Sequence, residues 1–234
     1  MKKFLSIILS AAMVCLVFAG CTPRSASNAS FTGDKKNPTP PGLKWGMTKE
    51  DTFKALGIKE EDCIKGTGEN GMPQREAFET KEIEIGGVKA KVGVAFYDYT
   101  KTGKDINLGL AEFVIEPVDK AGLEKIDAEL SKGDFIVKEP FDTETKGWKS
   151  KKSALQVCDE KKITDKAIST IISMENIDDE KLKELNVKDP QEFVKKVLEE
   201  MPVSSVKMQA LNDGGRYYYD GKYAALIKYL ENSK

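Results

Sequence analysis

KEIEIGGVKAKVGVAF, residues 81–96, is the stretch whose period decides the fold. Ile83 and Ile85 alternate with Glu82 and Glu84, Gly86-Gly87 interrupts, and Val88, Ala90, Val92, Val94 and Phe96 resume the alternation. Successive strand side chains point to opposite faces, so this spacing gathers the apolar residues on one side. Two adjacent glycines supply the positive φ values that a two-residue hairpin turn demands. The residues predict an antiparallel hairpin with one face turned to a core.

The same period runs from Arg75 to Glu116. YDYTKTGKDIN makes a polar connection, and LGLAEFVIEP, residues 108–117, predicts a third strand closed by Pro117. Helices are expected on either side. In GLKWGMTKEDTFKALG, residues 42–57, Thr48 is a good N-cap, Asp51 sits at the capping-box position and Gly57 suits the stop, which predicts a helix over 49–56. Leu123, Ile126 and Leu130 share a stripe that predicts a second helix over 120–132, with Gly133 as terminator. Beyond it the chain reads as an irregular strand, a strand over 154–158 and another over 167–174. Helix plus antiparallel strands would then occur twice. The expected class is α+β, an antiparallel sheet with helices packed on one face, built from repeated helix-plus-strands units.

Residues 175–234 read as an extension. A short helix is expected in DDEKLKELNV, and a better one follows from Asp189 as N-cap and Pro190 at the first helical position. After Pro202 a three-stranded meander is expected, with turns at 212–215 and at Asp220-Gly221. Tyr223, Leu226, Ile227 and Leu230 also fit a helical stripe, so the last piece stays open between strand and helix.

The N-terminus carries an address. Lys2 and Lys3, the apolar run Phe4 to Phe18, and the small pair Ala19 and Gly20 before Cys21 have the layout of a secretory signal over 1–20. The run is shorter than the ~20 residues a membrane-spanning helix needs. Residues 21–42, rich in Ser, Thr, Asn, Pro and Gly, show no apolar period and read as a disordered tether, with an ordered arm conceivable only around Phe31.

FAGC resembles the lipobox of bacterial prolipoproteins, with Phe18 standing where that family usually has Leu. The resemblance implies a thioether-linked diacylglycerol on Cys21, hence a membrane partner through a lipid anchor. Each buried methylene contributes ~0.8 kcal/mol, so two acyl chains hold where one would drift off. The alternative is a cut after Ala19 and release of a soluble protein.

Composition narrows the chemistry. The 234 residues hold no histidine, which removes imidazole acid/base catalysis, Ser–His and Cys–His nucleophiles, and the commonest zinc ligand. Charges of both signs are interspersed, 37 basic against 38 acidic, and no basic stripe points to nucleic acid. With Cys15 in the signal and Cys21 assigned to lipid, Cys63 and Cys158 remain as a disulfide pair or as two buried thiols.

Other fragments read as coincidence. Ser204-x-x-Lys207 and Lys101-Thr102-Gly103 echo an acyl-enzyme pattern, but in reversed order and without the intervening Ser-Asp-Asn. GTGENG, residues 66–71, lacks the flanking strand and helix of a phosphate loop. Asp178-Asp179 and Glu199-Glu200 read as solvated helix faces. No catalytic residue, metal ligand or cofactor site is assigned. Tyr217, Tyr218, Tyr219 and Tyr223 form an aromatic cluster in which Tyr217, Tyr219 and Tyr223 are the candidate binding surface; on a hairpin Tyr217 and Tyr219 would share one face, and ordinary cross-strand packing is the alternative.

GLKWGMTKEDTFKALG, followed by strands, a helix ending at a glycine, the isolated Trp148 and further strands, resembles a lineage of Firmicutes surface lipoproteins. Its G-M-[ST]-x-x-[DE] helix start is similar to that of SmpA/OmlA (BamE-type) lipoproteins and of the β-lactamase inhibitor protein. Gly46, Met47, Thr48, Asp51, Leu56 and Gly57 match, while Thr52 stands where the pattern prefers Val. The resemblance covers 43–174 and implies non-catalytic binding of another macromolecule across the sheet or its loops. The expectation is an exported lipoprotein on the outer face of a Gram-positive membrane, acting as an interaction module on a protein or cell-envelope partner. The competing class is an envelope hydrolase that acts on peptidoglycan or glycan through carboxylates in a deep cleft.

Overall fold

The computed structural model describes residues 29–66, 72–138, 146–177, 188–211 and 214–233. The hairpin forms as its period requires: β3 (Ile83–Ile85) turns at Gly86 and Gly87, both at positive φ, into β4 (Val88–Asp98). Val88, Ala90, Val92, Val94 and Phe96 are each 5 % exposed or less. Around them stand β1 (Ile64–Gly66), β2 (Arg75–Glu79) and β5 (Asn107–Pro117). All the described strands join one antiparallel sheet in the order β1-β2-β4-β5-β9-β8-β7-β6, with β3 on the end of β4. Here β6 is Ile136–Lys138, β7 Gly147–Lys149, β8 Ser205–Leu211 and β9 Gly214–Asp220.

The 42–57 motif holds one helix to this sheet. In α1 (Lys49–Leu56) the Thr48 hydroxyl accepts from Asp51 N, and Gly57 takes the left-handed conformation. The residues ahead of the helix pair with β5: Gly46 N donates to Leu110 O at 2.8 Å and Leu110 N to Met47 O at 2.9 Å. Gly109 makes this approach possible, because its φ is +66° and a Cβ there would lie 2.5 Å from Met47 O. One step further along, Ala111 is the extra residue that bulges β5 against β4 between Ala95 and Phe96. Phe53 of α1 then meets Phe78 and Phe96 edge-on, at centroid distances of 5.2 and 6.1 Å.

The expected second helix is α2 (Lys120–Leu130), capped by the Asp119 carboxylate on Gly122 N. The expected repeat is not formed, because the two segments read as strands are helices. They are α3 (Ala154–Glu160) and α4 (Thr164–Met174). Ser153 and Gln156 close a complete capping box on α3, and Ala154, Leu155 and Cys158 are its buried side chains. Ala167, Ile168, Ile171 and Met174 are buried on α4, a spacing of three and four that belongs to a helix and outweighs the β-branched content of ISTIIS.

The C-terminal segment is no appendage. Its β9 lies between β5 and β8, so residues after 175 supply inner strands of the one sheet. The expected meander is a hairpin followed by α6 (Lys222–Asn232), which resolves the ambiguous last piece as a helix with Ala225, Leu226, Ile227 and Leu230 buried. The helix α5 (Pro190–Glu200) forms as expected, with Asp189 accepting from Gln191 N at 2.8 Å. The short helix expected in 178–187 lies outside the described residues.

The expected tether is corrected over its described part. Phe31 is completely buried, Tyr219 donates its hydroxyl to Phe31 O at 3.0 Å, and Phe31 N donates to the Glu129 carboxylate at 2.9 Å. Trp45 Nε1 donates to Pro38 O at 3.1 Å, and Asp134 N to Lys35 O at 2.7 Å. One aromatic in a polar stretch is enough when a pocket is shaped for it: a Cβ on Gly86 would strike the Phe31 ring at 2.8 Å. Phe31→Ala is expected to cost about 3–5 kcal/mol, as for other buried aromatics, seen as a lower urea midpoint at unchanged slope. An unchanged midpoint would return residues 29–42 to the status of a loose tether.

Candidate functional site

The sheet has two faces, and α1 and α2 pack on one of them, through Phe53 against Phe78 and Phe96 and through Leu123 O, which accepts from Tyr217. Even-numbered β4 residues point into the core, as do Phe113 and Ile115 of β5 and Tyr217 and Tyr219 of β9. On the other face a groove of about 370 Å³ crosses the strands, and every residue lining it belongs to a strand. Two rows follow from the pairing registers: Ala77, Ala95, Glu112, Asp220 and Ser205 form one, and Glu79, Gly93, Val114, Tyr218 and Lys207 the next.

The floor is low because its residues are small. Gly66, Ala77, Gly93, Ala95 and Val114 come from four neighbouring strands, and a Cβ on Gly93 would touch only Val114 closely, at 3.4 Å. The walls carry the chemistry. Arg75 donates through Nε and Nη2 to the same Glu112 oxygen at 3.1 and 2.7 Å, and Tyr97 donates its hydroxyl to the other oxygen at 2.5 Å. The Arg75 and Glu112 side chains are only 19 % and 13 % exposed, so the pair is partly shielded from solvent and held in place. Arg216 is exposed and donates through Nε to Gln209 Oε1 at 2.8 Å.

The chain has three arginines among its 37 basic residues, and two of them, Arg75 and Arg216, line this groove. The scarcity of arginine is readable in the sequence, but only the strand registers bring two of the three to one groove. The groove charges balance: Arg75, Lys91 and Arg216 stand against Glu79, Glu112 and Glu116.

The expected tyrosine surface is corrected by parity. Tyr217 and Tyr219 do share a face, but it is the core face, where they are 1 % and 0 % exposed. Tyr217 packs on Trp148 at 6.0 Å and donates to Leu123 O, while Tyr219 meets Phe113 edge-on at 5.6 Å. Of the three consecutive tyrosines, Tyr218 is the one on the open face, between outward Arg216 and Asp220. Those polar neighbours at i±2 were the signal that Tyr218 points outward. Tyr223 lies elsewhere, half-buried in the wall of an apolar hollow beside Phe193 and Leu226.

Cys63 and Cys158 are not bonded: Cys158 is buried on α3, where burial pushes its thiol up to about 11, and Cys63 is a half-buried thiol on a separate segment. Cys21, Ala19 and Gly20 lie outside the described residues, as do Asp178-Asp179 and most of GTGENG. Ser204 is buried, whereas Lys207 is exposed and Lys101 pairs with Glu76 at 3.6 Å. Glu199 and Glu200 are exposed on α5. Among the described residues no cluster of acids and thiols has a metal-binding arrangement, and no helix is long and apolar enough to cross a membrane.

Burial raises the hydroxyls of Tyr97, Tyr217, Tyr218 and Tyr219 above the usual tyrosine value, and Glu112 adds to this for Tyr97 and Tyr218. A raised folded-state value means that the native form keeps protons the unfolded chain releases, so this contribution is intact below the unfolded value of 10.0 and is lost as pH rises beyond it. Stability is therefore expected to fall steeply above about pH 10, with phenolate absorbance appearing together with the loss of far-ultraviolet ellipticity. Full tyrosine ionisation before unfolding would contradict the burial of these hydroxyls. No family model, curated protein or solved structure matches the chain.

Proposed function

We propose that this chain is an exported lipoprotein, held by a diacylglycerol on Cys21 at the outer face of the membrane, whose folded part is a non-catalytic docking module. The observation that carries the docking reading is the strand-lined groove, with its low floor and fixed charged walls. A floor of glycine, alanine and valine lets a partner's backbone approach the sheet closely, while Arg216, Gln209 and Tyr218 offer donors and acceptors from the rim. The balanced charges suit a polypeptide carrying both signs better than a polyanion, which Glu79, Glu112 and Glu116 would repel. The BamE-type resemblance of residues 42–57 supports the same reading, because it too implies binding across a sheet.

The Glu112 carboxylate is already committed to Arg75 and Tyr97, which suits it to shaping the surface more than to proton transfer. Glu79 and Glu116 face the same groove and favour the hydrolase as a second reading. The two are separable. Full-length bait recovered from solubilised envelopes is expected to bring down a partner that Arg216→Glu and Tyr218→Ala lose by tenfold or more, about 1.4 kcal/mol or above, with thermal midpoints unchanged. Equal recovery by wild type and both variants would remove the groove from the account. Release of soluble fragments from purified cell wall, abolished by Glu79→Gln or Glu116→Gln, would replace docking with hydrolysis.

A further inference from the structure

We infer that residues 29–42 are a strap that fixes which pole of the fold faces the bilayer, so that the end carrying the β3–β4 turn lies against the membrane. The inference rests on Cys21 as the site of lipid attachment and goes beyond it, because an anchor alone leaves orientation free.

The strap is fastened at several points along its length. Phe31 fills a core pocket, bonded through its carbonyl to Tyr219 and through its amide to Glu129. Gly33 and Pro38 form a bridge, Lys35 O accepts from Asp134 N, and Pro38 O accepts from the Trp45 indole. The chain thus joins the folded body at Ala29, whose carbonyl lies where a Cβ on Gly86 would be 2.7 Å away. The point of attachment is the β3–β4 turn.

Covalent geometry then limits the reach. From Cys21 to Ala29 is about eight residue steps, at most ~29 Å of extended chain. A leash running to residue 42 would allow ~75 Å. The body measures more than the shorter value from pole to pole: β4 alone, with 11 residues, runs from the β3–β4 turn to the far pole at Tyr99–Thr102, about 36 Å at the usual rise. A leash shorter than the body cannot let both poles visit the surface equally. Lys91, at the near end of the groove, lies about 17 Å along β4 from Gly86, so the groove opens close to the bilayer, beside it.

The test uses the full lipidated chain in phosphatidylcholine–phosphatidylglycerol vesicles containing nitroxide-headgroup lipid, with Cys63→Ser to remove the half-buried thiol. A fluorophore is placed at Lys81→Cys, beside β3, or at Asp105→Cys, beside the far pole; both positions are exposed. The expected result is strong loss of fluorescence at position 81 and little at 105. Insertion of about twenty Gly/Ser residues after Ser27, a flexible coil, is expected to erase the difference without touching the fold. Equal quenching at both positions in the uninserted chain, or a difference that survives the insertion, would overturn the strap's role while leaving the anchor standing. A chain that does not float with the vesicles would overturn the anchor, and the inference with it.

Discussion

The pairing of β5 with β9 is the constraint on which the rest depends. It joins strands read from the 75–117 stretch to strands more than 90 residues further on, and its register of Phe113 with Tyr219 and Val114 with Tyr218 assigns every side chain of β9 to a face. A slip of one residue would carry Tyr217 and Tyr219 out of the core and bury Arg216 and Asp220 in their place. The core and the groove are two sides of this one alignment. Tyr219 packs on Phe113 and reaches Phe31, while Tyr218 and Arg216 form a wall above Val114 and Gly93.

Two flanking pieces lock the alignment from the helical side. Gly46 and Met47 bond to Leu110 of β5, and Trp45 covers Gly221, where a Cβ would lie 2.1 Å from the indole. The GLKWGM motif therefore touches both sides of the joint, β5 and the end of β9. Phe31 touches it again through Tyr219. The N-terminal arm, the motif and the C-terminal hairpin meet at one place although they are far apart in sequence. This makes the strap part of the core, and it gives the fold a contact order that favours slow, cooperative folding.

Much of this was legible along the chain, and the misses share a cause. The 81–117 hairpin and third strand, α1 with its Thr48 and Gly57 ends, α2, and α5 behind Asp189 follow from period and capping, which are local. For α3 and α4 the local signals were also present: Ser153 with Gln156 and the 167, 168, 171, 174 stripe outweigh the strand preference of isoleucine and threonine. Tyr217 and Tyr219 were correctly placed on a shared face, yet nothing local states which face is buried. That depends on the neighbour β9 chooses, a property of the whole sheet. Phe31 shows the same limit, since the pocket it fills is made by Gly86, Glu129 and Tyr219 from three distant segments. The groove was invisible for that reason too, its floor being small residues that carry no chemistry until four strands set them side by side.

The most direct measurement of the central alignment is the pattern of cross-strand nuclear Overhauser contacts between backbone protons of β5 and β9 in the isotope-labelled protein. The account predicts contacts joining Phe113 to Tyr219 and Val114 to Tyr218, and contacts from the Phe31 ring to Tyr219. Hα–Hα or amide–amide contacts that set Val114 directly opposite Tyr217 or Tyr219, or contacts that place β9 beside a strand other than β5 and β8, would contradict it and dissolve both the core and the groove described here.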